Sequence, residues 1–264
     1  MSADIILVDV ADGVATVTLN RPERLNAMSY ELMNLLPLRL RELTADLLVR
    51  SLVLTGAGRA FCAGGDIQGM VAGEGEPLSF EQEVEQQQGW HSVTALLHEM
   101  RKPTIAMVNG AAAGAGLSLA MACDLRIAAS SARFGTAFMR VGFSGDFGGT
   151  WLLTQLVGTA KARELYFSGE LLNAEDALRL GLVNRVVPDA ELRDQTMTLA
   201  RQIAAGPSVA YGYMKENLNL AQHSRLQDIL DTEARAHRRT GHTDDHKEAS
   251  RAFLEKRPPA FRGQ

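Results

Sequence analysis

Apolar and polar positions alternate at the start of the chain, over Ile5 to Val10 and again over Val14 to Leu19, with Asp12-Gly13 between them and Asn20-Arg21-Pro22 after them. That period of two around a short turn predicts a β-hairpin. Ser29 is placed to cap a helix over Tyr30 to Leu43, and Pro37, which has no N–H, predicts a kink there or two shorter pieces. Leu47 to Thr55 predicts a buried strand. The apolar period then fails from Gly69 to Gly89, a stretch with Gly73, Gly75, Pro77, five glutamates and Gln86 to Gln88. It predicts a mobile loop, either a lid beside a pocket or a solvated segment that touches nothing.

Periodicity returns with a helix over Trp90 to Met100, the strand Thr104 to Val108, a small-residue turn, a helix through Met121 and the strand Leu125 to Ala129. A further helix is expected over Phe147 to Leu156. Strands joined by helical crossovers run parallel, and the spacing of about fifty residues between two glycine-rich turns suggests stacked ββα units. Asn173 caps a short helix that Gly181 closes, and Leu182 to Val187 returns as a strand. Beyond about residue 190 the pattern is helical, near Asp189 to Ala205, Ser208 to Leu220, Ser224 to Arg239 and His246 to Lys256. The expected fold class is α/β, with a core over 1–190 and a helical capping or oligomerisation region over 191–264.

Composition narrows the partners. The 264 residues carry a formal charge of -4, which offers no basic field for a nucleic-acid backbone. Cys62 and Cys123 are the only cysteines, and their apolar or small neighbours suit buried free thiols in a reducing compartment. The start lacks a basic leader with a cleavage site, and no apolar run reaches the ~18 residues needed to span a bilayer. The expectation is a cytoplasmic protein without nucleic-acid or membrane partners.

The candidate chemistry lies in two turns, Ala60-Phe61-Cys62-Ala63-Gly64-Gly65-Asp66-Ile67 and Asn109-Gly110-Ala111-Ala112-Ala113-Gly114-Ala115-Gly116-Leu117-Ser118. Each follows a strand pattern. Side chains this small let main-chain N–H groups approach a ligand, and a helix start adds unpaired donors and a favourable dipole. Two such turns can form an oxyanion hole from the main chain alone.

Together with Leu19-Asn20-Arg21-Pro22, Leu25-Asn26-Ala27, Leu54-Thr55-Gly56, Cys123-Asp124-Leu125-Arg126-Ile127-Ala128 and Phe253-Leu254-Glu255-Lys256-Arg257, these turns resemble the crotonase family, also called the enoyl-CoA hydratase/isomerase superfamily. The resemblance runs nearly end to end. It implies a spiral of ββα units, a homotrimer or dimer of trimers, and an acyl-CoA thioester substrate, with no metal or redox cofactor and coenzyme A present only as part of the substrate. It places the two oxyanion amides at Gly65 and Ala115. It further implies that Ala63 to Gln68, including Asp66 and Ile67, line the acyl-CoA channel, that Arg24 and Leu25 lie beside the nucleotide, and that Phe253 and Lys256 reach a neighbouring subunit's CoA.

The departures bear on the reaction. Hydratases of this family use two glutamates; the matching positions here are Ser118 and Phe138, so that pair of carboxylates is missing. An acid does occur at Asp146, in Gly142-Phe143-Ser144-Gly145-Asp146-Phe147-Gly148-Gly149-Thr150, where the family's isomerases often carry one. A single carboxylate suffices to remove one proton from an acyl thioester and return it two carbons away. Phe138 and Phe143 are expected to exclude the water that hydration needs. These residues favour a double-bond isomerase. A hydratase, a hydrolase or carbon-carbon cleaving enzyme of cyclic β-keto acyl-CoAs, and a non-catalytic acyl-CoA-binding protein are the alternatives.

Plainer roles stand beside these. Asp146 could simply cap the following helix, Ser118 could pack or bond its own backbone, and Asp66 is expected to hold its turn rather than act as a base. Cys62 is expected in the core, His91 and His98 at a helix surface or on a buried partner, and His237, His242 and His246 in solvent with Asp244 and Asp245 rather than on a metal.

Overall fold

The expected hairpin forms as β1 (Ile6–Ala11) and antiparallel β2 (Val14–Leu19), with Asp12 and Gly13 at φ 53 and 75 in the turn. This is a computed structural model that describes residues 4–72 and 78–264. Ser29 caps α1 (Tyr30–Ala45) by accepting from the Leu32 N–H. α1 runs through Pro37 as one helix rather than as two pieces. Leu32, Met33, Leu36, Pro37 and Leu40 are all buried, so packing outweighs the missing N–H.

The chain then repeats one motif three times. The first unit is β3 (Ser51–Gly56), β4 (Ala60–Cys62), α2 (Ile67–Ala72) and α3 (Phe80–Glu99). The second is β5 (Thr104–Val108), β6 (Ala111–Ala113) and α4 (Ala115–Ala122); the third is β7 (Leu125–Ala129), β8 (Arg133–Gly135) and α5 (Gly149–Ser168). After β9 (Leu172–Asn173), α6 (Ala174–Arg179) and β10 (Arg185–Val187) come α7 (Leu192–Ala204), α8 (Ser208–Ala221), α9 (Leu226–Gly241) and α10 (Asp244–Glu255).

One sheet has the order β1-β2-β3-β5-β7-β10 and the other β4-β6-β8-β9. β2, β3, β5, β7 and β10 pair in parallel, as do β4, β6 and β8, so each ββα unit advances one strand position in both sheets. β3 and β5 are buried along their whole length, which is why their centres, Leu52 to Leu54 and Ile105 to Val108, read as apolar runs without alternation.

Several motif residues serve this frame. The buried Arg126 donates to the carbonyls of Met121, Cys123 and Leu182, holding the end of α4. Asp124 accepts from the Thr104 N–H and hydroxyl and from the buried Lys215 at 2.8 Å, which fastens α8 to the core. Asn26 and Asn109 both donate to the Ala60 carbonyl and so fix the entry to β4.

Four boundaries differ from expectation. The strand starts at Ser51 rather than Leu47, because Asp46 accepts from the Leu48 N–H and turns the chain, leaving Leu47 and Leu48 exposed. β10 starts at Arg185, since the N–H groups of Leu182 and Val183 return to Ala177. α5 starts at Gly149 and continues past Leu156 to Ser168, interrupted at Gly158. Most importantly, the presumed loop is largely helix: α2 covers Ile67–Ala72, and a capping box of Ser79 and Gln82 starts α3 at Phe80. Residues 73–77 of that stretch lie outside the described residues. Among the described residues no helix is long and apolar enough to cross a membrane.

Candidate active site

The two small-residue turns meet. Residues 63–66 are laid against 25–28 by bonds from Ala63 N to Leu25 O, Met28 N to Gly64 O and Asp66 N to Met28 O, at 2.8–3.1 Å. In this register the Gly65 N–H is left over, and among the described residues it has no protein acceptor. Gly64 needs its freedom here: φ is +100, and a methyl group on it would stand 2.9 Å from the Ala113 carbonyl oxygen and 3.7 Å from the Ala115 nitrogen. Ala115 is the first residue of α4, so its N–H also has no acceptor among the described residues.

Gly65 and Ala115 line one cavity of about 410 Å³. Two free amides, one of them at the positive end of a helix, are the apparatus for an oxygen that gains negative charge.

Asp146 lines the same cavity. Its carboxylate is about one-third exposed and is held by α3: Gln87 Nε2 donates to Oδ1 at 2.9 Å and Oδ2 at 2.8 Å, and His91 Nε2 stands 2.5 Å from Oδ1. The Phe147 N–H donates to Oδ1 at 2.8 Å. Asp146 is not the cap of α5, whose N-cap is Gly148. Its main-chain carbonyl accepts from the Ser118 hydroxyl at 3.0 Å, while Ser118 also bonds Gly114 one turn back. Ser118 therefore takes both plain roles, packing and backbone bonding, and carries Asp146 as well.

The apolar wall includes Met28, Met33, Trp90, Phe138 and Phe147. Phe138 is buried and stacks on Tyr166 at 6.0 Å between ring centroids. Phe143 also lines the cavity but is mostly exposed, so only Phe138 screens its interior as expected. The α3 side is polar, with Glu83, Gln86 and Gln87.

Ala63 and Ile67 line the cavity with Gly65, whereas Asp66 turns away. It pairs with Arg21 at 2.8 Å and accepts from the Gly69 N–H. Burial pushes the Asp66 carboxyl up, but the Arg21 bond and charge and the Gly69 N–H outweigh it, leaving a pKa below the usual value. Gln68 and Arg24 bond each other beside this turn, next to Leu25 in a left-handed conformation (φ 52). Phe253 and Lys256 lie on exposed α10 and at its end, and neither lines this chain's cavity.

Cys62 and Cys123 are buried, and burial pushes both thiols up to about 12. Asp245 is buried, accepting from the N–H groups of Arg262 and Gly263, which corrects its solvated reading. Among the described residues, no three His, Cys, Asp or Glu side chains cluster as metal ligands would.

Gln87 and Glu83 are the residues that sequence reasoning missed at this site, and the partner of His91 was not identified. The Ser79-Phe80-Glu81-Gln82 capping signal could have started α3 early enough to place Gln87 and His91 one turn apart on one face. Nothing local pointed them at Asp146, more than fifty residues away.

A sequence profile described as "Enoyl-CoA hydratase/isomerase" matches residues 9–264. The chain is 41% identical to 1,2-epoxyphenylacetyl-CoA isomerase of Escherichia coli (strain K12), covering 99% of each. It is 36% identical to the short-chain-enoyl-CoA hydratase of Clostridium acetobutylicum, covering 97% of each. The crystal structure of an enoyl-CoA hydratase from Bacillus anthracis matches with a TM-score of 0.92 at 32% identity, over 99% of this chain and 100% of that one. Sequence and crotonase fold agree over nearly the full length: the chain belongs to the enoyl-CoA hydratase/isomerase family of acyl-CoA enzymes.

Proposed function

We propose that this family member moves a carbon-carbon double bond along an acyl-CoA, with Asp146 as the proton carrier and the amides of Gly65 and Ala115 as the oxyanion hole. The observation that carries this reading is that a carboxylate and two amides without protein acceptors line one cavity. Asp146 takes the proton next to the thioester carbonyl, and the electron pair moves into a dienolate whose oxygen the two amides hold. The same carboxyl returns the proton two carbons further along, and the double bond comes to rest beside the carbonyl. The relative named 1,2-epoxyphenylacetyl-CoA isomerase supports isomerisation of an acyl-CoA in general, since the substrate in its name is an epoxide.

In this reading Ala63, Gly64, Gly65 and Ile67 line the acyl-CoA channel, and Arg24 and Leu25 flank the nucleotide. Phe253 and Lys256 serve a neighbouring copy in a trimer or dimer of trimers, which gives the exposed Phe253 a use. No cofactor takes part beyond the CoA of the substrate.

Hydration is the second reading, favoured by one observation: Glu83 lines the cavity with Asp146, so two carboxylates are present even though the positions of Ser118 and Phe138 supply none. A panel of 2-enoyl, 3-enoyl and cyclic β-keto acyl-CoAs, with products separated by chromatography and mass, tests both. Conversion of 3-enoyl to 2-enoyl thioester at unchanged mass is the expected result. A product heavier by one water, or cleavage of the cyclic substrate with no isomerisation, contradicts it.

A further inference from the structure

The two oxygens of Asp146 are not equivalent. Oδ1 accepts from Gln87 Nε2, from the Phe147 N–H and from His91 Nε2, whereas Oδ2 accepts from Gln87 alone. An ionised carboxyl oxygen has about two lone-pair positions, so three donors saturate Oδ1 and leave Oδ2 with capacity for a proton. Against an ionised Oδ1, which can only accept, the 2.5 Å contact requires hydrogen on Nε2. The imidazole is steadied edge-on against Phe147, with centroids 5.2 Å apart; Gln87 Nε2, a second donor 3.3 Å from the same nitrogen, makes no bond to it and converges with it on Oδ1.

We infer that His91 is a positioning residue: its imidazole, through hydrogen on Nε2, pins Oδ1 and so makes Oδ2 the oxygen that exchanges the proton with substrate. This deepens the isomerase reading and rests on it. His91 does not line the substrate cavity. It lines a separate one of about 790 Å³, bounded by Thr94, His98, Trp151, Asn219 and His223, so the ring is reached from outside the substrate cavity. Truncating it to alanine leaves the volume of the lost ring, beside Oδ1 and at the wall of that second cavity, for free imidazole to occupy.

The test uses His91→Ala, His91→Gln and Asp146→Asn in the full-length protein, with a 3-enoyl-CoA as substrate. His91→Ala is expected to lower kcat at least tenfold with KM within twofold and an unchanged melting midpoint. His91→Gln, which keeps an N–H donor, is expected to return kcat to within about threefold of the parent, and free imidazole to restore much of the activity of His91→Ala. Asp146→Asn is expected to be inactive with or without imidazole. Parent-like kcat in His91→Ala overturns the positioning role while leaving the role of Asp146 standing. So does a joint fall in kcat, KM and melting midpoint that neither glutamine nor imidazole repairs. Should His91→Ala not fold, His91→Gln decides alone: a kcat more than tenfold below the parent in a folded protein overturns the inference. An active Asp146→Asn overturns the isomerase mechanism itself.

Discussion

The Ser118 hydroxyl donates to the main-chain carbonyl of Asp146 at 3.0 Å, so the helix that begins with the unpartnered Ala115 amide also holds the backbone of Asp146. Ser118 is buried, and its substitution by alanine leaves that carbonyl with the Gly149 N–H as its remaining partner. Ser118→Ala is predicted to lower stability by ~1 kcal/mol and kcat severalfold, with KM little changed. Urea unfolding and steady-state kinetics on a 3-enoyl-CoA check this.

Ala115 offers a clean deletion of one donor. As the first residue of α4 it uses no N–H within the helix, and proline is tolerated at that position. Ala115→Pro is predicted to retain its far-ultraviolet circular dichroism while losing ~100-fold or more in kcat. Parent-like turnover would remove this amide from the mechanism.

The close approach of the two turns depends on Gly116, where a methyl group would stand 2.2 Å from the Cys62 carbonyl oxygen. Gly116→Ala must push α4 away from β4 and with it Ala115 from Gly65. A stability loss of ~1–3 kcal/mol is predicted, as for other overpacked core positions. Turnover is predicted to fall further than the unfolded fraction explains, which a denaturant series read in parallel by fluorescence and activity measures.

How much of this was legible in the sequence depended on burial. Thr104 to Val108 and Leu125 to Ala129 were readable to the residue, because strands covered on both faces are mostly apolar, with Thr104 and Arg126 as the buried polar exceptions. The two turns were readable because close backbone contact demands small side chains in a row. The first half of α3 was hidden, since Phe80 to Gly89 is mostly exposed and carries no apolar period, and only its capping box marked it. Leu47 and Leu48 misled in the opposite sense, as apolar residues left outside the sheet by a turn at Asp46. The clamp of Gln87 and His91 on Asp146 joins two ββα units and has no local signature.

The buried thiols set the alkaline behaviour. Burial raises Cys62 and Cys123 from 9.0 to about 12 in the fold, so above pH 9 the unfolded chain releases protons that the folded chain keeps. Their contribution is intact below pH 9 and is lost as pH rises from 9 toward 12, by up to ~1.4 kcal/mol per pH unit for each thiol. Urea unfolding at pH 8 and pH 10 is predicted to show a steeper loss for the parent than for the Cys62→Ala/Cys123→Ala double variant. Equal slopes would place the thiols outside this effect.

The most direct measurement compares Asp146→Asn with the parent protein on a 3-enoyl-CoA, following both thioester binding and appearance of the 2-enoyl product. Asparagine keeps the shape of the side chain but cannot carry the proton. The predicted result is acyl-CoA affinity within about threefold of the parent and a kcat lower by ~10²–10⁴. An Asn variant that isomerises within tenfold of the parent rate would contradict the assignment of Asp146 as the proton carrier.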